Sequence, residues 1–410
     1  MTKETTALTS KVLNATVVVT AFGYAIDLYD YFIFNATRTP SLAELGVNGD
    51  ALTSAGLFIN NCQLFGLFLG SILWGMLGDK YGRKVCLFAS ILTYSIATAY
   101  CSFVESIDLY ALARFFAGLG VAGELGMGLT LISEKIVASR RGYGTAFFII
   151  VGFFGILTAA LVAEYLPWRQ AYLFGGIAGF ILLIARTLVL ESGMYQAMRQ
   201  RSQTGNVLGI IFKNPTLLRK YLASIFLLVP STFTPQILWT LSPELAKAQG
   251  IAAPIKANIT LLVGYSCVIF GDFLATILSE KIHSRKKAIL IFYCIGIGVF
   301  IKYIFVPAHS MIEFYFINSL LGMVFGMWVV LASLITEQVG TNIRSTIATT
   351  TPNFARTLVI PMNLAFAALK PTNGATIAVG IIGFTVYAAA LWGWFNVEET
   401  YGNDLNYEEH

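Results

Sequence analysis

The sequence predicts an all-α membrane protein of twelve transmembrane helices in two pseudo-symmetric six-helix bundles, and three observations carry that expectation. Of 410 residues, 56% are hydrophobic and only 12% charged, roughly half the ~25% charged share of a soluble domain. Mean hydropathy is +0.71. Apolar runs long enough to cross a bilayer recur along the whole chain, and polar landmarks recur at a nearly fixed offset in its two halves. So little charge cannot coat a soluble enzyme, and so much apolar surface does not stay disordered. Aromatics at 14%, with 37 Gly, suit lipid-facing helices that pack through small residues.

A helix needs about 20 mainly apolar residues to span the hydrocarbon core. Twelve such runs lie at 12–35, 51–77, 85–104, 108–134, 143–166, 171–190, 221–243, 257–279, 288–307, 311–336, 345–369 and 374–396. Pro230 and Pro235 interrupt the seventh and predict a kink. The polar first ten residues, with no small-residue cleavage site after the first run, mark that run as a retained helix. The five cysteines lie in or beside apolar runs without Cys-x-x-Cys or Cys–His clusters, so neither a disulfide framework nor a metal site is expected, and no cofactor.

Lys and Arg fix the expected orientation. With the N-terminus cytoplasmic, eighteen of the 27 fall on the inner side, five on the outer and four (Arg114, Arg186, Lys302 and Arg356) within spans. Both termini are therefore expected to be cytoplasmic. Basic residues scattered as topological anchors do not form a nucleic-acid face.

The polar interval 191–220 divides the chain into an N-terminal bundle (1–190), a cytoplasmic linker (191–220) and a C-terminal bundle with a short tail (221–410). Asp79 answers to Glu280 at an offset of 201. Glu134 with Arg141 answers to Glu337 with Arg344 at 203, and Glu191-Ser192 to Glu399-Thr400 at 208. Two halves in one orientation imply a parallel duplication whose bundles can rock about a shared site.

Gly75-Met76-Leu77-Gly78-Asp79-Lys80-Tyr81-Gly82-Arg83-Lys84 resembles the loop signature between spans two and three of the major facilitator superfamily. The second copy, around Glu280, Lys281 and Arg285, is degenerate, with Ser where Gly is expected. Pro167-Trp168-Arg169 and Glu399-Thr400 resemble further elements of that family. Asp27-Leu28-Tyr29-Asp30 and Arg114 through Gly123-Glu124 resemble its metabolite:proton symporter branch, which stands close to the sugar porters. The resemblance implies the major facilitator fold and alternating access. It also implies a gate of inner-loop charges (Gly75, Asp79, Gly82, Arg83, Glu134, Arg141, Glu280, Arg285, Glu337 and Arg344) that locks one state.

Ionisable groups inside a bilayer are costly and usually face a partner or cavity. Asp27 and Asp30 share a face of span one, and Asp30 lies at the same expected depth as Arg114 on span four. The expectation is an Asp30–Arg114 pair, assisted by Asp27, whose carboxylate takes a proton when drawn from the cation. A fixed, merely orienting ion pair is the alternative. Glu124 joins the proton-coupling set, although the glycines around it read as packing. Arg356, about eleven residues into span eleven, is the substrate candidate, because a guanidinium can clamp a carboxylate bidentately. Asn353, Asn60, Asn61, Gln63, Tyr29, Gln236 and Trp239 complete the expected substrate set, with Asp272 secondary and Tyr24 and Tyr31 as cavity-wall candidates.

The function these readings predict is proton-coupled import of a small polar carboxylate-bearing metabolite. The setting is the inner membrane of a bacterium, and a monomer is expected, with substrate, protons and lipid as its partners. A proton-driven exporter and an importer of a larger polycarboxylate such as a siderophore stay open. An enzyme is not expected: only His283, His309 and His410 are present, all in loops or the tail.

Overall fold

The computed structural model describes residues 15–81, 83–123, 141–190, 211, 213–340 and 343–402. Nine described segments are long and apolar enough to cross a bilayer. One of these, Thr346–Asn396, holds two spans that part at Gly374, whose φ of 78° suits a residue without Cβ. Phe88–Cys101 is shorter, and span four is described only to residue 123. Each of the twelve expected spans is thus met by a helix among the described residues, span four over Ile107–Val121.

In order, spans one to six are Ala15–Glu44, Asp50–Tyr81, Arg83–Cys101, Ile107–Val121, Arg141–Tyr165 and Trp168–Leu190. Span seven is Pro215–Phe233 followed by a π-helical turn, Thr234–Trp239. Spans eight and nine are Ala257–Lys281 and Arg285–Phe305. Span ten is split into Met311–Phe325 and Trp328–Glu337, and span eleven starts at Arg344. Side-chain oxygens cap several starts: Ser106, Ser284 and Ser310 each accept from a backbone N–H three residues on. Asn214 caps span seven with Pro215 at the first helical position, where its missing donor costs nothing.

Three spans differ from the sequence expectation. Span one runs on to Glu44, because Thr37, Arg38 and Ser41, though polar, are buried at 0–1% exposure and bonded across the molecule or to their own backbone. Span seven begins six residues earlier than expected, inside the interval assigned to the linker, and turns π-helical where Pro235 withholds an N–H. Span ten is broken at Gly326–Met327, with Met327 at φ −143° and ψ 26°.

The duplication recurs in the packing. An added Cβ on Gly66 would lie 2.0 Å from the Phe115 carbonyl oxygen, and one on Gly118 would lie 2.0 Å from that of Gln63. In the second half, Gly271 meets Met323 O at 1.9 Å and Gly326 meets Val268 O at 2.1 Å. Spans two and four thus interlock backbone to backbone as spans eight and ten do. Residues on spans two and eight correspond at an offset of 205, and those on four and ten at 208. Across the halves, span five packs on span eight and span two on span eleven, the reciprocal contacts a twofold arrangement demands.

Backbone-to-backbone seams leave no side chain to yield. Gly271→Ala is expected to lower stability by about 1–3 kcal/mol through overpacking, while exposed Gly298→Ala, with nothing within 4 Å of its Cβ, stays within about 0.5 kcal/mol of the parent. Thermal unfolding of both variants in detergent checks this; equal melting would remove the seam as a stabilising element.

Candidate functional site

Span one carries Asp27 and Asp30 inward, at 2% and 1% exposure. Span four brings Arg114 to the same level, fully enclosed. Arg114 Nη1 lies 3.1 Å from Asp30 Oδ1, and Nη2 donates to the Asp30 carbonyl oxygen at 2.6 Å. Nε reaches Gln63 Oε1 at 3.4 Å, and the guanidinium lies 5.6 Å from the Tyr172 ring centroid. Thr98 Oγ1 also donates to Asp30 Oδ1, while Asp30 Oδ2 is buried without a hydrogen-bond partner. The cluster neutralises two charges that hydrocarbon would not tolerate singly. Gln63 extends it: its Nε2 donates to the Tyr31 carbonyl oxygen at 3.1 Å.

Tyr31 belongs to the central cavity, and its ring lies 5.0 Å under the Arg356 guanidinium. Both halves line this cavity, with Tyr24, Tyr31, Phe32 and Phe153 on one side and Gln236, Tyr265, Trp328 and Arg356 on the other. The aromatic walls meet edge to face, Phe32 on Tyr265 at 5.2 Å and Tyr265 on Trp239 at 5.2 Å. The space is about 20 Å³, against the ~10–15 Å³ one water requires; a metabolite needs it to open. An unbroken run of contacts thus leads from Asp30 through Arg114 and Gln63 to Tyr31 and Arg356.

Of the expected substrate set, Arg356 and Gln236 line this cavity. Trp239 stands behind it, against Tyr265. Tyr29 instead turns into the N-terminal bundle and donates to the Ala171 carbonyl oxygen at 2.7 Å. Asn61 accepts from Asn363 at 2.7 Å, Asn60 donates to Gln236 at 3.4 Å and Asn353 to the Ala122 carbonyl oxygen at 3.4 Å, so these amides bond the two halves together. Gln63 serves Arg114. Asp272 Oδ1 accepts from the Val329 N–H at 3.0 Å. Glu124 lies outside the described residues.

The face bearing the loops between spans one and two, five and six, seven and eight, and eleven and twelve is here termed distal. On it the halves are latched. Arg38 Nη2 meets both Glu244 oxygens at 2.7 and 2.8 Å and the Thr240 carbonyl at 3.0 Å. Asn35 Nδ2 reaches Gln236 Oε1 at 2.9 Å and Thr240 Oγ1 at 2.7 Å. Lys256–Glu164 and Lys370–Asp50 join the rim at 2.7 and 2.8 Å, where exposed pairs contribute little. Sequence reasoning missed Asn35, Arg38 and Glu244. The signal was a stripe at helical spacing (Asp27, Tyr31, Asn35, Arg38) that continues beyond the apolar run.

Comparison with known proteins follows the same architecture. A family profile described as the Major Facilitator Superfamily matches residues 20–362. The chain belongs to the major facilitator superfamily. It is 28% identical over 348 residues (82% of this chain, 84% of the relative) to a Bacillus subtilis protein named as a niacin/nicotinamide transporter. It is 26% identical over 404 residues (93% and 89%) to a Cupriavidus pinatubonensis protein named as a 4-methylmuconolactone transporter. The crystal structure of a D-xylose-proton symporter shares the fold at TM-score 0.71 and 18% identity, covering 95% of this chain and 99% of that one. The protein is a membrane-spanning transporter of this superfamily, and the family and its relatives are transporters, not enzymes.

The superfamily's inner-loop charges are described only in the second half. Gly82 and Glu134 lie outside the described residues, as do the side chains of Asp79, Arg83 and Arg141 and the surroundings of Gly75. Glu337 pairs with Arg285, which meets its two oxygens at 2.7 and 2.9 Å, and also accepts from Thr400. Arg344 donates to the Thr336 and Val339 carbonyls, and Glu280 accepts from the Tyr401 hydroxyl at 2.9 Å. Beyond span twelve, Glu399 accepts from Ser284 and from the N–H groups of Arg285, Lys286 and Tyr401. Burial alone raises the Glu399 carboxyl, but these donors outweigh it and hold it below its usual 4.5. Such a lowered carboxylate stabilises the fold above its unfolded pKa, and that stability fades as pH falls through the folded one. Glu399→Gln is therefore expected to melt below the parent at pH 7, and the gap to close as the pH is taken below 4.5. A pH-independent gap measured by thermal unfolding contradicts this.

Proposed function

We propose that the protein imports a small, planar, ring-bearing monocarboxylate together with protons, by alternating access between its two bundles, in the inner membrane of a bacterium with both termini cytoplasmic. The observation that carries the reading is Arg356, a guanidinium at 6% exposure stacked on Tyr31 in an aromatic-walled cavity. A carboxylate takes the guanidinium edge bidentately, and a flat ring lies against Tyr31, Tyr265 or Trp328. The two relatives above are named for niacin or nicotinamide and for 4-methylmuconolactone, small molecules built on a ring. A bulky polycarboxylate fits less well, because Arg356 is the one cation among the described residues that line the cavity.

Coupling rests on the Asp30–Arg114 cluster, with Asp27 one turn away. In the distally closed form Arg114 pairs with Asp30 through both its carboxylate and its backbone carbonyl. When spans one and four part, the carboxylate loses its cation in a dry setting and takes a proton. Gln63 and Tyr31 connect that exchange to the pocket where the substrate sits. The distal face is the outer one under the distribution of Lys and Arg.

Proteoliposomes with an inside-alkaline pH gradient test the reading with labelled nicotinate. The parent accumulates it and stops when a protonophore is added; accumulation only under the opposite gradient makes the protein an exporter. Arg356→Lys is expected to raise the nicotinate Kd about tenfold or more, one charge-assisted bond being worth about 1.5–3 kcal/mol, with unchanged melting. Unaltered affinity removes Arg356 from the site.

A further inference from the structure

Span ten is not continuous. Its first half ends at Phe325 and its second begins at Trp328. In an unbroken helix the Val329 N–H would bond the Phe325 carbonyl. Here the Met327 N–H takes that carbonyl at 2.9 Å, and Val329 donates to Asp272 Oδ1 on span eight at 3.0 Å. The helices touch at this point: a Cβ on Gly326 would lie 2.1 Å from Val268 O and 2.7 Å from the Asp272 nitrogen. Asp272 is 3% exposed, and its Oδ2 is buried with no hydrogen-bond partner. A carboxyl so placed is costly in a membrane interior, yet its contact is with backbone and not with the cavity. The residue beside its partner, Trp328, is a cavity wall facing the space that Arg356 also lines.

We propose that Asp272 is a positioning residue for the transport site: its carboxyl caps the second half of span ten and thereby fixes the angle at which Trp328 enters the cavity. The proposal rests on the substrate reading above for its affinity effect, but not for its structural one. Removing the cap frees the Val329 N–H, lets the break between residues 325 and 328 relax and turns the indole off the ring-binding wall. Asn at 272 keeps an acceptor oxygen and the same length, so it preserves the cap while deleting the charge.

Two measurements on the purified full-length protein test this, with Asp272→Leu as the space-filling substitute if Asp272→Ala fails to fold. Without substrate, amide hydrogen exchange is followed in a peptide covering residues 322–331. Asp272→Ala is expected to accelerate exchange there and Asp272→Asn to leave it as in the parent. Unchanged exchange in Asp272→Ala overturns the proposal, whatever the protein transports. With nicotinate as probe, Asp272→Ala is expected to raise Kd about tenfold, the size of a lost helix cap, and Asp272→Asn to bind as the parent does. In a Trp328→Ala background, Asp272→Ala should add almost nothing further, because both changes remove one wall. An Asp272→Asn loss equal to that of alanine assigns Asp272 a charge role and overturns the proposal, as does an additive double variant. A parent that binds no nicotinate but shows the exchange pattern defeats the substrate reading and leaves the cap standing.

Discussion

Ions do not tolerate hydrocarbon alone, and the arrangement of this molecule follows from that constraint. Arg114 is fully enclosed on span four, where an unpaired guanidinium costs at least about 2.5–3.5 kcal/mol. Asp30 answers it from span one with a carboxylate oxygen and its own backbone carbonyl. That double contact ties two helices of the first bundle at one depth, and Gln63 ties the pair to the floor of the central cavity.

The closed distal face shows what a transport cycle has to break. Arg38 is buried against Glu244, and removing one partner of such a pair leaves a stranded charge. The latch is anchored on the π-helical turn of span seven, through Thr240 and Gln236, and Gln236 is also a cavity wall. Asn35 and Asn60 both donate to the Gln236 side-chain carbonyl oxygen, while its Nε2 is buried with no hydrogen-bond partner.

Most of the fold was legible in the sequence because the bilayer imposes it. Apolar length yields the spans, and the recurrence of Asp79 in Glu280 and of Glu134 in Glu337 yields the duplication. The breaks were less legible. Pro235 announced the kink in span seven, but the interruption of span ten depends on Asp272 reaching Val329 from another helix, and no local signal at Gly326–Met327 records that. The pairing of Asp30 with Arg114 followed from depth alone. Polar residues at mid-span look alike in sequence, so the bonds that Asn60, Asn61 and Asn353 make between the halves were not legible there. Arg38 reads as a loop charge in sequence because its burial is created by Glu244, 206 residues away.

Counting protons at the moment of substrate binding tests the central claim most directly. Calorimetric titration of the detergent-solubilised protein with nicotinate in buffers of differing ionisation enthalpy yields the number of protons exchanged per binding event. The account predicts a number near one for the parent and near zero for Asp30→Asn. An equal proton count in the two proteins would contradict it and leave the Asp30–Arg114 pair a purely structural tie.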